Sequence, residues 1–400
     1  MILGLDPYLT DWLNLLIRWL HVIAGIAWIG TSIYFVFLDT ALERPHEPND
    51  AAKGVHGELW AVHGGGFYHV QKHLTSPARL PEPLHWFKWE AYWTWISGFS
   101  LLVLLYYLEA DSYLIDPAVA DLSAAAAIGA SLAGLVLAWV LYDLLCRTIR
   151  SDIALGVALV GLTALAAWGA GELFSGRGAF IQVGAMLGTI MVANVLFVII
   201  PAHWELIRAK QEERPPRVER GIEAKRRSVH NTYLALPVVL TMISNHFPFL
   251  YGDEHAWLVL VALMLISAWV RHFFVLRRRG RTNLLIPAGA AAATIAIAIA
   301  IEPDDPERSP SAEPVDASQA VAIVEQRCTT CHSANPTSEQ FTSAPGGVVL
   351  DTPAQIAERA DAIRAQAVDS RAMPLGNATG MTDEEREALG AWIAAGAQVE

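Results

Sequence analysis

Charge is scarce in this chain. Only 17% of its 400 residues are Asp, Glu, Lys or Arg, whereas 54% are hydrophobic and the mean hydropathy is positive. A soluble domain of this size carries more charge, so composition alone points to the membrane. Cysteine is scarcer still, at three residues, which excludes a disulfide framework. Cys146 stands alone in an apolar run and is expected to be an inert buried thiol. No basic segment precedes the first apolar run, which is too long for a signal-peptide core. That first run is therefore expected to stay in the protein. Internal repeats and long low-complexity stretches are missing too.

What is present is a series of eight apolar stretches, at 12–37, 86–107, 123–146, 153–174, 179–205, 231–250, 256–276 and 284–301. About 20 apolar residues cross a ~30 Å hydrocarbon core as a helix. Helices are required because lipid offers backbone groups no partners. The 14 tryptophans suit bilayer interfaces.

Lys and Arg alternate between loops. The loop after the first stretch holds Arg44, Lys53, Lys72 and Arg79; the fifth loop holds eight bases between Arg208 and Arg227; residues 108–122 hold none. Cytoplasmic loops keep the positive residues. The pattern predicts a multi-pass protein of the bacterial inner membrane with both termini in the periplasm. Residues 303–400 carry 16 acids against 6 bases, a net of −10, so the tail is an acidic unit on a nearly neutral body. An acidic face steers a basic partner at low salt.

Within that tail, Cys328-Thr-Thr-Cys331-His332 is the attachment signature of a c-type haem. The thiols add to the haem vinyls and His332 is placed to ligate iron. No second cysteine pair exists to complete a zinc set. Residues 318–326 have a helical apolar pattern leading into the motif. Met373, followed by Pro374, is the expected second axial ligand, and His/Met ligation raises the potential. Met381 is its rival. It precedes Thr382, an expected helix N-cap with Glu385 three residues on. Leu389, Trp392 and Ile393 form a stripe expected to pack as core. The fold class predicted is all-α: an eight-helix transmembrane bundle over 1–301, a Pro- and acid-rich linker over 302–316, and a small class I cytochrome c domain over 317–400.

Ionisable groups inside spans are costly and commonly functional. Arg18 and His21 share a face of the first helix. His246 lies near the periplasmic end of the sixth; His203, His230 and His272 lie near cytoplasmic ends. The first cytoplasmic loop adds His56, His63, His69 and His73 around a Gly triplet, read as room for close ligand approach. A haem b held between His21 and His246 is a further expectation: at ~1.5 Å per helical residue they lie ~15 Å and ~8 Å below the outer surface, a mismatch that helix tilt can absorb.

Several segments together resemble the membrane-bound, cytochrome-c-linked urate oxidases of bacteria. They are RWLHVIAGIAWIGTSIYFVFLD, GELWAVHGGGFYHVQKH, LPEPLHWFKWEAYWTWISGF and RRSVHNTYLALPVVLTMISNHFP, followed by the tail with MPLGNATGMTDEE. The resemblance implies oxidation of urate to 5-hydroxyisourate, with electrons leaving through the tail to a soluble cytochrome c or terminal oxidase. It implies no direct use of oxygen and no peroxide. An oxidised purine anion needs donors, a cation and a base. Candidates are His63, His69, Lys72, His73, Lys88, Asn231 and Asn245, with Glu90 or a neutral His as base. Trp86, Trp89 and Trp93 could stack on a purine plane. No nucleic-acid partner is expected. The rival readings are a non-catalytic electron conduit for a partner enzyme and a purine transporter with a cytochrome tail.

Overall fold

The computed structural model describes residues 7–73, 77, 79–252, 255–278, 280–302, 316–338 and 340–399. Helix dominates. In chain order the body holds α1 (Pro7–Ala41), α2 (Trp89–Leu102), α3 (Ala124–Thr148), α4 (Asp152–Gly171), α5 (Gly176–Gln211), α6 (Val218–Ser244), α7 (Ala256–Arg278) and α8 (Leu285–Ala300). Five of them, α1, α3, α4, α5 and α7, are long and apolar enough to cross a membrane. α8 is apolar but shorter. α2 runs on into a π-helical turn, Val103–Tyr107, and α5 contains another at Val195–Ile199.

The sequence explains where helices begin. Ser123, Ser151 and Ser175 each accept a hydrogen bond from the backbone N–H three residues on, capping α3, α4 and α5. α5 is the central helix, mostly buried over its first half, and packs on α3, α4 and α6. Small residues let it approach closely: a Cβ on Gly184 would lie 2.0 Å from Thr241 Oγ1. α1 packs chiefly on α2. On its other side Leu15, Trp19, Ile23 and Ile26 form an exposed stripe. Such a stripe is unfavourable in water and at home in lipid.

The body departs from an all-α fold in one place. Residues 55–73, expected as a loop, form an antiparallel hairpin of β1 (Val55–His63) and β2 (Gly66–His73). Its two-residue turn is Gly64–Gly65, with φ of +58° and +80°. Two successive positive φ values are what a hairpin turn matching strand twist requires. Gly64 and Gly65 of the triplet thus make the hairpin turn.

In the tail, α9 (Ala317–Arg327) and α10 (Asp383–Ala394) pack together. Thr382 and Glu385 form the expected capping box. Val324 and Leu389 are fully buried, and Trp392 and Ile393 join the same core. Arg327 pairs with Glu385 at 2.9 Å, tying the two helices. The expected linker lies outside the described residues at 303–315. The tail nevertheless touches the body. Gln340 donates to Glu109 at 3.1 Å and also to Ser112. Gly252 sits on the Ser370 backbone, where a Cβ would come within 2.5 Å, and Gly376 sits on the Asp111 carbonyl.

Candidate functional site

Where tail meets body, a cavity of about 1210 Å³ opens. Its body wall includes Tyr113, Arg177, Asn245 and Tyr251, and its tail wall includes Met373 and Arg386. The elements explain the convergence. Arg177 stands in the first turn of α5, Asn245 caps the end of α6, and Tyr106 lies in the π turn after α2. Three helix ends therefore meet at one level. The Arg177 Nε donates to Asn245 Oδ1 at 3.1 Å and to the Tyr106 hydroxyl at 3.2 Å. Tyr106 in turn donates to the same Asn245 oxygen at 3.1 Å. The guanidinium lies 4.9 Å over the Tyr113 ring, which fixes its plane.

The tail also carries the cysteine motif. Cys328 and Cys331 are both free and half-buried. Burial pushes the Cys328 thiol up to about 11. The His332 ring nitrogen Nδ1 lies 3.1 Å from the Val348 carbonyl. With Nδ1–H donating there, Nε2 is left as the ligating nitrogen. Met373 is half-buried against the tail core, as Cys328 is. Its loop is held from both sides: Met373 N donates to Gln366 O at 2.8 Å, and Arg386 donates to Met373 O at 2.8 Å. Met381 is only 3% exposed, and its backbone is clamped by Asn377 through bonds of 2.9 and 3.2 Å. Two thiols, an imidazole and a thioether are the donor set that a covalently attached haem requires. Met373 lines the cavity whereas Cys328, Cys331 and His332 do not. Among the described residues no group of three His, Cys, Asp or Glu stands together as a direct metal site.

The other residues singled out from the sequence are spread over the molecule. His63, His69, Lys72 and His73 all lie on the hairpin. His69 stacks on Trp60 at 4.2 Å and bonds Glu58 at 2.9 Å, while Lys72 pairs with Asp39 of α1. His63 is exposed beside the turn. Lys88, just before α2, lies 5.2 Å over Trp86 and 5.5 Å over Trp89. Trp86 also faces Trp204 at 4.8 Å. Glu90 Oε2 is buried with no hydrogen-bond partner among the described residues. Asn231 has both ends of its amide engaged by α5: it donates to Met191 O and accepts from Asn194, each at 2.9 Å. Asn245 alone of these candidates reaches the cavity.

His21 turns its Nδ1 to the Thr94 carbonyl at 3.0 Å, and its ring fills the space above Gly98, where a Cβ would come within 2.8 Å. His246 is exposed just beyond α6. Arg18 bonds Asn14 rather than His21. His230 bonds Tyr142 and His272 bonds Tyr233, both at 2.8 Å.

Arg177 and the tyrosines around it stand in no recognisable sequence motif. A signal was available. On the side of the body where residues 108–122 and 245–255 carry no Lys or Arg, Arg177 is a base beside a span. A cation on the side that otherwise excludes them asks for a reason.

Residues 7–302 match the family model described as urate oxidase N-terminal; the tail lies beyond the match. No curated protein and no solved structure matches the chain.

Proposed function

The chain belongs to the urate oxidase N-terminal family, and on that premise we propose that it is a membrane oxidoreductase that converts urate to 5-hydroxyisourate. The match over most of the chain carries this reading. The tail's donor set supplies the outlet for electrons.

The reaction balances without molecular oxygen. Urate gains a hydroxyl oxygen from water and gives up two protons and two electrons, so no peroxide forms. A haem c held by Cys328 and Cys331, with His332 and Met373 as iron ligands, would supply a one-electron acceptor of raised potential. The protein's own groups do the positioning. The Val348 carbonyl orients the His332 ring, and Arg386 holds the Met373 loop against the last helix. The acidic tail then favours a basic soluble cytochrome c as acceptor, with a terminal oxidase as the other recipient.

In this reading α2, α6 and α8 cross the bilayer along with the five longer helices. Both termini then face the periplasm of a bacterial inner membrane. A haem b on His21 and His246 would be a second electron acceptor. The Thr94 bond fixes the His21 ring with Nε2 free, as an axial ligand needs.

Anaerobic mixing of urate with the oxidised, haem-loaded protein is the test. Reduction of a c-type absorbance band is expected. Absence of reduction with the haem intact would leave an electron conduit, and urate crossing vesicles without reduction would leave a transporter. A pyridine haemochrome spectrum of the same sample reports whether b haem accompanies c.

A further inference from the structure

The cavity between body and tail holds three cations, and two of them are already occupied. Arg371 pairs with Asp383 at 3.1 Å. Arg386 gives its Nη1 to the Ala367 and Met373 carbonyls. Arg177 differs. Its Nε alone is bonded, to Tyr106 and Asn245, and among the described residues no carboxylate lies within ion-pair distance of it. Its two terminal nitrogens have no protein partner among the described residues. The Asn245 oxygen is doubly engaged, by Arg177 and Tyr106, which leaves the Asn245 amide nitrogen as its open side.

The Arg177 terminal nitrogens and the Asn245 amide nitrogen are therefore open donors on this stretch of wall, on a plane fixed by Tyr113, while the carboxylates that also line the cavity, Asp116, Glu172, Glu302, Asp369 and Asp383, are not paired with Arg177. A shielded cation without a counter-ion is unfavourable until an anion arrives. The matching ligand is a planar anion with carbonyl oxygens, taken up from the tail's side of the body. A guanidinium reads such a ligand through two parallel N–H groups.

We propose that Arg177 and Asn245 form the clamp that seats the urate anion in this cavity, against the loop of Met373. The inference rests on the urate reading above and adds a location to it. Substrate and electron outlet then share one cavity. No substrate need reach the hairpin end, where most of the histidines stand.

Equilibrium dialysis of urate against the reduced, haem-loaded protein measures binding without turnover. Arg177→Gln is expected to weaken binding at least tenfold and Arg177→Lys by less. Asn245→Asp places a carboxylate on the guanidinium and is expected to weaken binding at least tenfold as well. The c-type absorbance of each variant reports an intact tail. If Arg177→Gln fails to fold, Asn245→Asp, which conserves shape, decides. Urate bound within twofold of the parent protein by both variants would overturn the clamp while leaving the urate reading in place. A parent protein that neither binds urate nor is reduced by it would take down the urate reading, and the clamp with it.

Discussion

Two arginines in the body, Arg177 in the first turn of α5 and Arg227 on α6, show how differently one side chain is used. Arg227 is 1% exposed, and every nitrogen is taken: Nη2 by Asp143 and Nε by Glu223, both at 2.7 Å, and Nη1 by Asn194 at 3.4 Å. Its guanidinium stacks 5.0 Å over Tyr142. Arg177 has a comparable aromatic bed at Tyr113 but, among the described residues, no carboxylate partner. A buried ion pair with all its hydrogen bonds made holds helices in place, and removing one partner leaves the others unpaired. An unpaired cation on a cavity wall does little for the fold and is available to a ligand.

The largest effect should come from removing the electron outlet at the cavity end. Replacing Cys328 and Cys331 by Ala together is expected to abolish the covalent c-type band and all urate-driven reduction. Circular dichroism should still report the helices of the body. If urate-driven reduction of an external cytochrome c survives, the tail is not the outlet.

Docking of the tail comes next. Gly252→Val would drive a side chain into the Ser370 backbone and lift the tail from the cavity. Electron arrival at the tail, followed by stopped flow, is expected to slow by roughly an order of magnitude, because misplacement of about an ångström is costly. An unchanged rate would mean that this contact does not set the path.

The two arginines themselves can then be set against each other. Arg227→Met leaves Asp143 and Glu223 facing an apolar side chain and should cost about 3 kcal/mol. Arg177→Met strands no carboxylate and should cost less, about 1.5 kcal/mol, the lower end for a lost hydrogen bond to a charged group. Thermal denaturation in the same detergent compares them. Equal losses would erase the distinction drawn here.

The smallest effect concerns the hairpin, at the other end from the cavity. Glu58, 3% exposed, accepts from the His46 backbone and ring and from His69, and these bonds hold its carboxyl down at about 2. Its contribution is complete above about 4.5, the ordinary glutamate value, and fades as pH falls toward 2. His46 is raised by the same bond, so its contribution is complete below 6.5 and is lost as pH rises through its raised value. Protection of the hairpin amides against hydrogen exchange, relative to their intrinsic rate at each pH, should therefore be greatest between about pH 4.5 and 6.5. Exchange protection that stays flat across that window would mean the pair does not anchor the hairpin.

Much of the body was legible because lipid imposes a single rule, that apolar runs become helices. Runs such as 123–146 and 256–276 appear as α3 and α7 within two residues at each end. The tail was legible for another reason: Thr382 and Glu385 make a local cap, and Leu389, Trp392 and Ile393 repeat at helical spacing. The hairpin was missed although Gly64–Gly65 between β-forming residues is a turn signal, because its four histidines drew attention to chemistry instead.

The sequence by itself determined the helices, the acidic tail and the CxxCH motif, since each depends on residues near one another in the chain. It could not bring Arg177, Asn245 and Tyr106 together, because they are separated by 68 to 139 positions and meet only where three helix ends pack at one level. Nor could it tell that Asn231 is spent on α5 while Asn245 faces open space. Whether a polar group is satisfied or available depends on what lies across the helix interface, and that is decided only when the helices have packed.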